Sequence, residues 1–159
     1  MAQSLTRFDA VIAAPFGRVG IILRDSTLAD ISLLPPSSAL VAAKTPAARR
    51  ICAQLRQYLK NPKTHFGIEL MLDGTPFQQR VWRALQRIPS GQVKTYGELA
   101  QQLKSSARAI GNACRANPIP IAVPCQRVVA VNGDGGFMDK RAGQALVFKR
   151  WLLAHERSG

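Results

Sequence analysis

Acidic residues are scarce in this chain: nine Asp and Glu stand among 159 residues, against 22 Lys and Arg. A formal charge of +13 in so small a protein points to a polyanionic partner, nucleic acid first. Histidine is scarcer still. His65 and His155 stand alone, and Cys52, Cys114 and Cys125 form no CxxC or other close-spaced ligand pair, so no zinc site is expected and the three thiols cannot all be paired. Long apolar runs are missing too. None approaches the roughly 18 residues of a bilayer span, and the opening MAQSLTRFDA lacks the basic-then-apolar pattern of a secretory signal. The expectation is a cytoplasmic protein with reduced thiols and no membrane contact. At 47% hydrophobic and 19% charged, the composition excludes wholesale disorder and fits one ordinary domain or two small ones sharing a core.

The positive charge is unevenly placed. Residues 1–74 carry nine basic and five acidic side chains, whereas 75–159 carry thirteen and four, so the polyanion is expected on the second half. In the first half, FDAVIAA, VGIILR and LADISLL are short β-branched and apolar runs separated by Pro15-Phe16-Gly17 and Asp25-Ser26, which reads as an antiparallel meander. After Thr45-Pro46, Ile51, Leu55, Tyr58 and Leu59 recur at helical spacing until Asn61-Pro62. A further short strand is expected over 67–72, and Asp73-Gly74 marks the boundary between domains 1–74 and 75–159.

The second half reads as helices with explicit start signals. Thr75-Pro76-Phe77-Gln78 combines a capping threonine, a proline at the first helical position and a glutamine at the third, and Thr95-Tyr96-Gly97-Glu98 repeats the capping box. The helix from Thr95 to Leu103, the turn Lys104-Ser105-Ser106 and a second helix from Ala107 to Ala116 have the outline of a helix-turn-helix. Next comes NPIPIAVPCQRVV, in which three prolines forbid a regular helix, predict an extended path, and deliver Cys125 with Arg127 two residues on. A last helix spans Gln144 to Glu156 and carries KRWLLAHE.

Taken in order, TPFQQRVWRAL, IPSGQVKTYGELA, ARAIGNACRANPIPIAVPC, RVV and KRWLLAHE resemble the O6-alkylguanine-DNA alkyltransferases, the methylated-DNA–protein-cysteine methyltransferases. The match covers nearly all of residues 75–156. The first half resembles the family's N-terminal domain only in outline. The resemblance implies an α+β fold in which a small antiparallel sheet of ribonuclease H-like outline with one helix precedes a mainly helical domain containing a helix-turn-helix. It also implies direct DNA repair by base flipping. One alkyl group passes irreversibly from O6-alkylguanine in double-stranded DNA, with O4-alkylthymine as a second lesion, to a protein cysteine. The protein would act as a monomer, associated with the nucleoid. The DNA is itself the alkyl donor, so no cofactor and no metal is implied.

By the same resemblance Cys125 is the acceptor and Arg108 is the finger that fills the gap left by the flipped nucleotide. Ala107, Gly111, Cys114, Arg115 and Thr95 are further DNA-facing positions, with packing as the alternative role of Cys114. Tyr96 sits over the base and supplies a proton to departing guanine. Pro120 and Val128 line the pocket, and Asn117 and Arg127 brace it, Arg127 by pinning backbone and a carboxylate. Glu156 matches the glutamate of the family's thiol-activating relay.

Two departures stand out. The family's PCHR is PCQR here, so the relay histidine is Gln126, whose amide donates and accepts hydrogen bonds but takes no proton. His155 is no substitute, because neighbours on a helix point about 100° apart and Glu156 adjoins it. The pocket-closing loop is also atypical, running NGDGGFMDKRAG over 132–143, with backbone amides near Met138 and Asp139 expected to bind the guanine oxygen. The competing reading is a damage sensor that flips and holds the lesion without repairing it; a plain helix-turn-helix regulator is a third, disfavoured by the pocket motifs.

Overall fold

The computed structural model describes residues 7–131 and 144–158. Strands β1 (Ala10–Ala14), β2 (Gly17–Arg24) and β3 (Thr27–Leu34) pair antiparallel in chain order, with Ala10 opposite Ile21 and Ile21 opposite Ile31. The expected meander is present. Its second turn is two residues long, and Asp25 and Ser26 both take positive φ, 51° and 64°, the geometry that matches strand twist. At the first turn a Cβ on Gly17 would lie 2.3 Å from the Leu34 carbonyl oxygen, so only glycine fits.

Helix α1 (Pro46–Lys60) starts where Thr45 accepts from the Ala48 amide at 3.1 Å, and it buries Ile51, Cys52, Leu55 and Tyr58. The strand expected over 67–72 does not form. One bridge joins Leu70 to Leu28, with the Met71 amide donating to the Leu28 carbonyl at 2.8 Å. Farther along β3, the Ile31 amide donates instead to the Pro118 carbonyl at 3.0 Å, so the second half of the chain occupies the edge that a fourth strand would need.

Both expected capping boxes are made. In α2 (Pro76–Gln86) Thr75 and Gln78 cap each other, and in α3 (Tyr96–Gln102) Thr95 and Glu98 do the same. A tight turn with Lys104 at φ 55° leads into α4 (Ala107–Arg115), capped by Ser106. Helix α4 is held from behind, where the buried Trp82 indole donates to the Ala113 carbonyl at 2.9 Å. Short strands β4 (Lys94–Thr95) and β5 (Val128–Val129) pair in parallel, and α5 (Gln144–Arg157) closes the fold. One hydrophobic core runs from Ile21 and Leu28 through Leu55, Trp82 and Leu99 to Leu152. Among the described residues no helix is long and apolar enough to cross a membrane, and no group of three or more His, Cys, Asp or Glu could hold a metal ion.

Candidate active site

The segment between α4 and Cys125 is not extended as its prolines predict. It is a run of turns, because Asn117 supplies the hydrogen bonds a regular element would: its Nδ2 donates to the Val123 carbonyl at 2.8 Å and its Oδ1 accepts from the Ile119 amide at 2.9 Å. The Val123 amide returns to the Ile119 carbonyl at 2.9 Å. Ile121 is thereby held at φ 77°, a conformation that costs a β-branched residue about 1–3 kcal/mol. This strained loop delivers Cys125 to the first position of a 3-10 turn (Cys125–Arg127).

Cys125 is 5% exposed, and burial pushes its thiol up to about 11. The Asn117 side chain, then the Lys149 ammonium, pull it back. Lys149 is fully buried on α5, donates to the Val128 carbonyl at 2.6 Å and lies 5.8 Å from the centre of the Tyr96 ring. One cation therefore lies over the half-buried Tyr96 ring and also lowers the thiol through its charge.

Next to the thiol lies a closed carboxylate cluster. Glu156, 2% exposed, accepts at Oε2 from the Tyr58 hydroxyl at 2.7 Å, Gln126 Nε2 at 3.0 Å and Arg127 Nη2 at 3.0 Å, and at Oε1 from Arg127 Nε at 2.8 Å. Arg127 also donates to the Ile88 carbonyl at 2.5 Å. Because the Gln126 amide turns its NH2 to the carboxylate, its carbonyl faces away, and Gln126 Oε1 has no partner among the described residues. Gln126 reproduces one half of an imidazole, the donor to the glutamate, and keeps an acceptor on the other side without basicity. Four hydrogen bonds thus converge on the two oxygens of Glu156.

His155 points elsewhere, stacking on Trp151 with ring centres 4.6 Å apart and reaching the Tyr58 carbonyl at 2.6 Å. On α4, Ala107, Arg108 and Arg115 are exposed, Gly111 is half-exposed, and Arg115 bonds Asn112. Cys114 is half-buried on the same helix; burial first, and then the neighbouring Cys125, push its thiol up. Thr95 caps α3, and Pro120 and Val128 are buried. Met138, Asp139 and the rest of the loop 132–143 lie outside the described residues.

The geometry thus brings Cys125, Gln126, Glu156, Arg127 and Asn117 into one cluster. Sequence reasoning did not single out Tyr58 or Lys149. Tyr58 reads as one more apolar position on α1. Lys149 lies inside KRWLLAHE, where an ionisable residue amid apolar ones on a buried helix was the available signal.

The family model for the 6-O-methylguanine DNA methyltransferase DNA binding domain matches residues 76–158. A methylated-DNA–protein-cysteine methyltransferase of Mycolicibacterium paratuberculosis is 38% identical over 156 residues, covering 92% of this chain and 90% of that protein. The chain belongs to the methylated-DNA–protein-cysteine methyltransferase family. Among solved structures, a single-substitution variant of the Mycobacterium tuberculosis O6-methylguanine methyltransferase superposes with a TM-score of 0.79 at 36% identity, covering 93% of this chain and 91% of that one. A M. tuberculosis OGT solved in complex with DNA gives 0.76 at 37% identity, with the same coverage. The family is a DNA-binding one whose members transfer methyl groups from DNA to a protein cysteine, and the cysteine at the centre of this site is Cys125.

Proposed function

We propose that this protein repairs O6-alkylguanine in double-stranded DNA by transferring the alkyl group irreversibly to Cys125, once per molecule, acting as a monomer on DNA in the cytoplasm. The observation that carries the reading is the burial of Cys125 at the end of a strained loop that the Asn117 side chain holds. The thiolate attacks the alkyl carbon, the sulfur–carbon bond forms, and the bond to O6 breaks with its electron pair going to guanine. Tyr96 supplies the proton that guanine takes up, and the adjacent Lys149 cation stabilises the phenolate left behind.

The alkylated oxygen lies within the base stack, so a buried thiol reaches it only if the nucleotide swings out. Arg108, exposed on α4, fills the gap, and Ala107, Gly111, Cys114 and Arg115 follow the groove beside it. Pro120 and Val128, both buried beside Cys125 in the chain, line the pocket around the base. O4-alkylthymine presents the same alkyl–oxygen bond and falls within the same chemistry. The Gln126 amide takes no proton, so the thiol proton passes to solvent as the thiolate forms, helped by the Lys149 charge and the Asn117 hydrogen bond, and the Tyr96 phenolate regains a proton from solvent.

Incubation with a duplex containing O6-methylguanine, followed by peptide mass analysis, tests the reading. One methyl on the Cys125 peptide is expected. Methylation on Cys114, or none at any pH, overturns it, and lesion-selective binding without transfer would make the protein a damage sensor.

A further inference from the structure

Between Asp30 and Glu69 the chain has no acidic residue, yet it carries Lys44, Arg49, Arg50, Arg56, Lys60 and Lys63. Four of these share the solvent face of α1, where Arg49, Arg50, Arg56 and Lys60 are exposed together with Ala53 and Gln57. At about 100° per residue, Arg49, Arg56 and Lys60 fall within about 40° of one another and span about 16 Å along the axis. A helix face built only for solubility interleaves acids at i+4, and this one sets Arg56 against Lys60, a repulsive pair. Among the described residues no carboxylate pairs with the stripe; ion pairs such as Arg24 with Asp73 and Arg127 with Glu156 lie elsewhere.

We propose that this face of α1 is a second phosphate-binding surface that takes a separate segment of duplex DNA. The opposite side of the helix faces the acceptor site, because Tyr58 reaches Glu156 from it. The basic stripe therefore points away from Cys125, and the DNA it holds is not the stretch whose base enters the site. A lipid surface is disfavoured, because an interfacial helix inserts its apolar side, and Ile51, Leu55 and Tyr58 are 3%, 2% and 0% exposed in the core. A stiff polyanion needs only regularly spaced cations. The choice of DNA rests on the DNA-binding reading of the second half, and the molecule then bridges two DNA segments.

The test uses the full chain and a variant with Arg49→Gln, Arg50→Gln, Arg56→Gln and Lys60→Gln, which keeps good helix formers and leaves the core untouched. Wild type should carry a fluorescent duplex onto beads bearing a second, lesion-containing duplex. The variant should lose that capture while methylating Cys125 on a short duplex at the wild-type rate. The slope of log affinity against log salt for the second duplex should fall by about 0.9 per lost phosphate contact. The double variant with Arg49→Gln and Lys60→Gln should lose about half as much, which guards against misfolding of the quadruple one. Equal capture by wild type and quadruple variant, no bridging by active wild type, or a stripe that captures anionic vesicles or duplex RNA in preference to DNA overturns the proposal. Failure of Cys125 methylation in wild type instead overturns the repair reading and leaves bridging to be read separately.

Discussion

Gln126 decides how the acceptor thiol is activated. With an amide in place of an imidazole, position 126 offers no basic nitrogen to take the thiol proton between pH 5 and 8, and burial holds the thiol itself up at about 11. Transfer should therefore rise steadily from pH 5.5 to 9 with no inflection near 6.5. Gln126→His should give a ring that donates to Glu156 as the amide does and turns a basic nitrogen to the other side, where Gln126 Oε1 lacks a partner among the described residues. It should speed transfer several-fold near neutrality and add an inflection in the histidine range. Single-turnover rates of both forms across that range check this; equal rates throughout would mean that thiol ionisation does not limit transfer. The Gln126 substitution was legible in the sequence because it interrupts a contiguous motif. Tyr58 was not, because its partner Glu156 is 98 positions away and nothing local distinguishes a core tyrosine from one whose hydroxyl meets a carboxylate.

At the scale of elements, α1 does more than cover the sheet, because Tyr58 ties it to α5 through a buried hydrogen bond to a charged group. Such a bond contributes about 1.5–3 kcal/mol. Tyr58→Phe should destabilise the protein by that amount in urea unfolding and, by releasing one of three donors from Glu156 Oε2, loosen the Gln126 amide and slow transfer. Stability and single-turnover rate measured on the same variant check both effects, and a variant as stable and as fast as wild type would mean the link carries neither. Elements whose signals are local, such as the capping boxes at Thr75–Gln78 and Thr95–Glu98, could be read from the sequence residue by residue. The strand at 67–72 could not, since β pattern says nothing about who occupies the neighbouring edge, and Pro118 occupies it. The proline-rich loop misleads for a related reason: proline excludes a helix, but the Asn117 side chain, not proline, selects turns over an extended path.

For the whole molecule, buried thiols set the alkaline limit of stability. Burial raises Cys125, Cys114 and Cys52, and Tyr58 as well, with the Glu156 charge adding to the effect at Tyr58. All four groups are neutral when protonated, so below their unfolded values, near 9 for a thiol, both states carry the proton and nothing is lost. As pH rises past that point the unfolded chain ionises while the folded one does not, and stability falls until the folded group also titrates. For Cys125 the window runs from 9.0 to about 11, a shift worth about 2–3 kcal/mol. Burial raises Cys52, Cys114 and Tyr58 too and adds to the alkaline loss, so the measurement that isolates Cys125 is a difference. Urea unfolding of wild type and of Cys125→Ser from about pH 7.5 upward should show wild type losing about 2–3 kcal/mol more than the variant as the pH climbs to about 11. Methylation removes the ionisable proton as surely as the substitution does, so the repaired, alkylated protein should follow the variant's curve. Parallel curves for all three forms would mean that water reaches the Cys125 sulfur and that burial does not hold its proton.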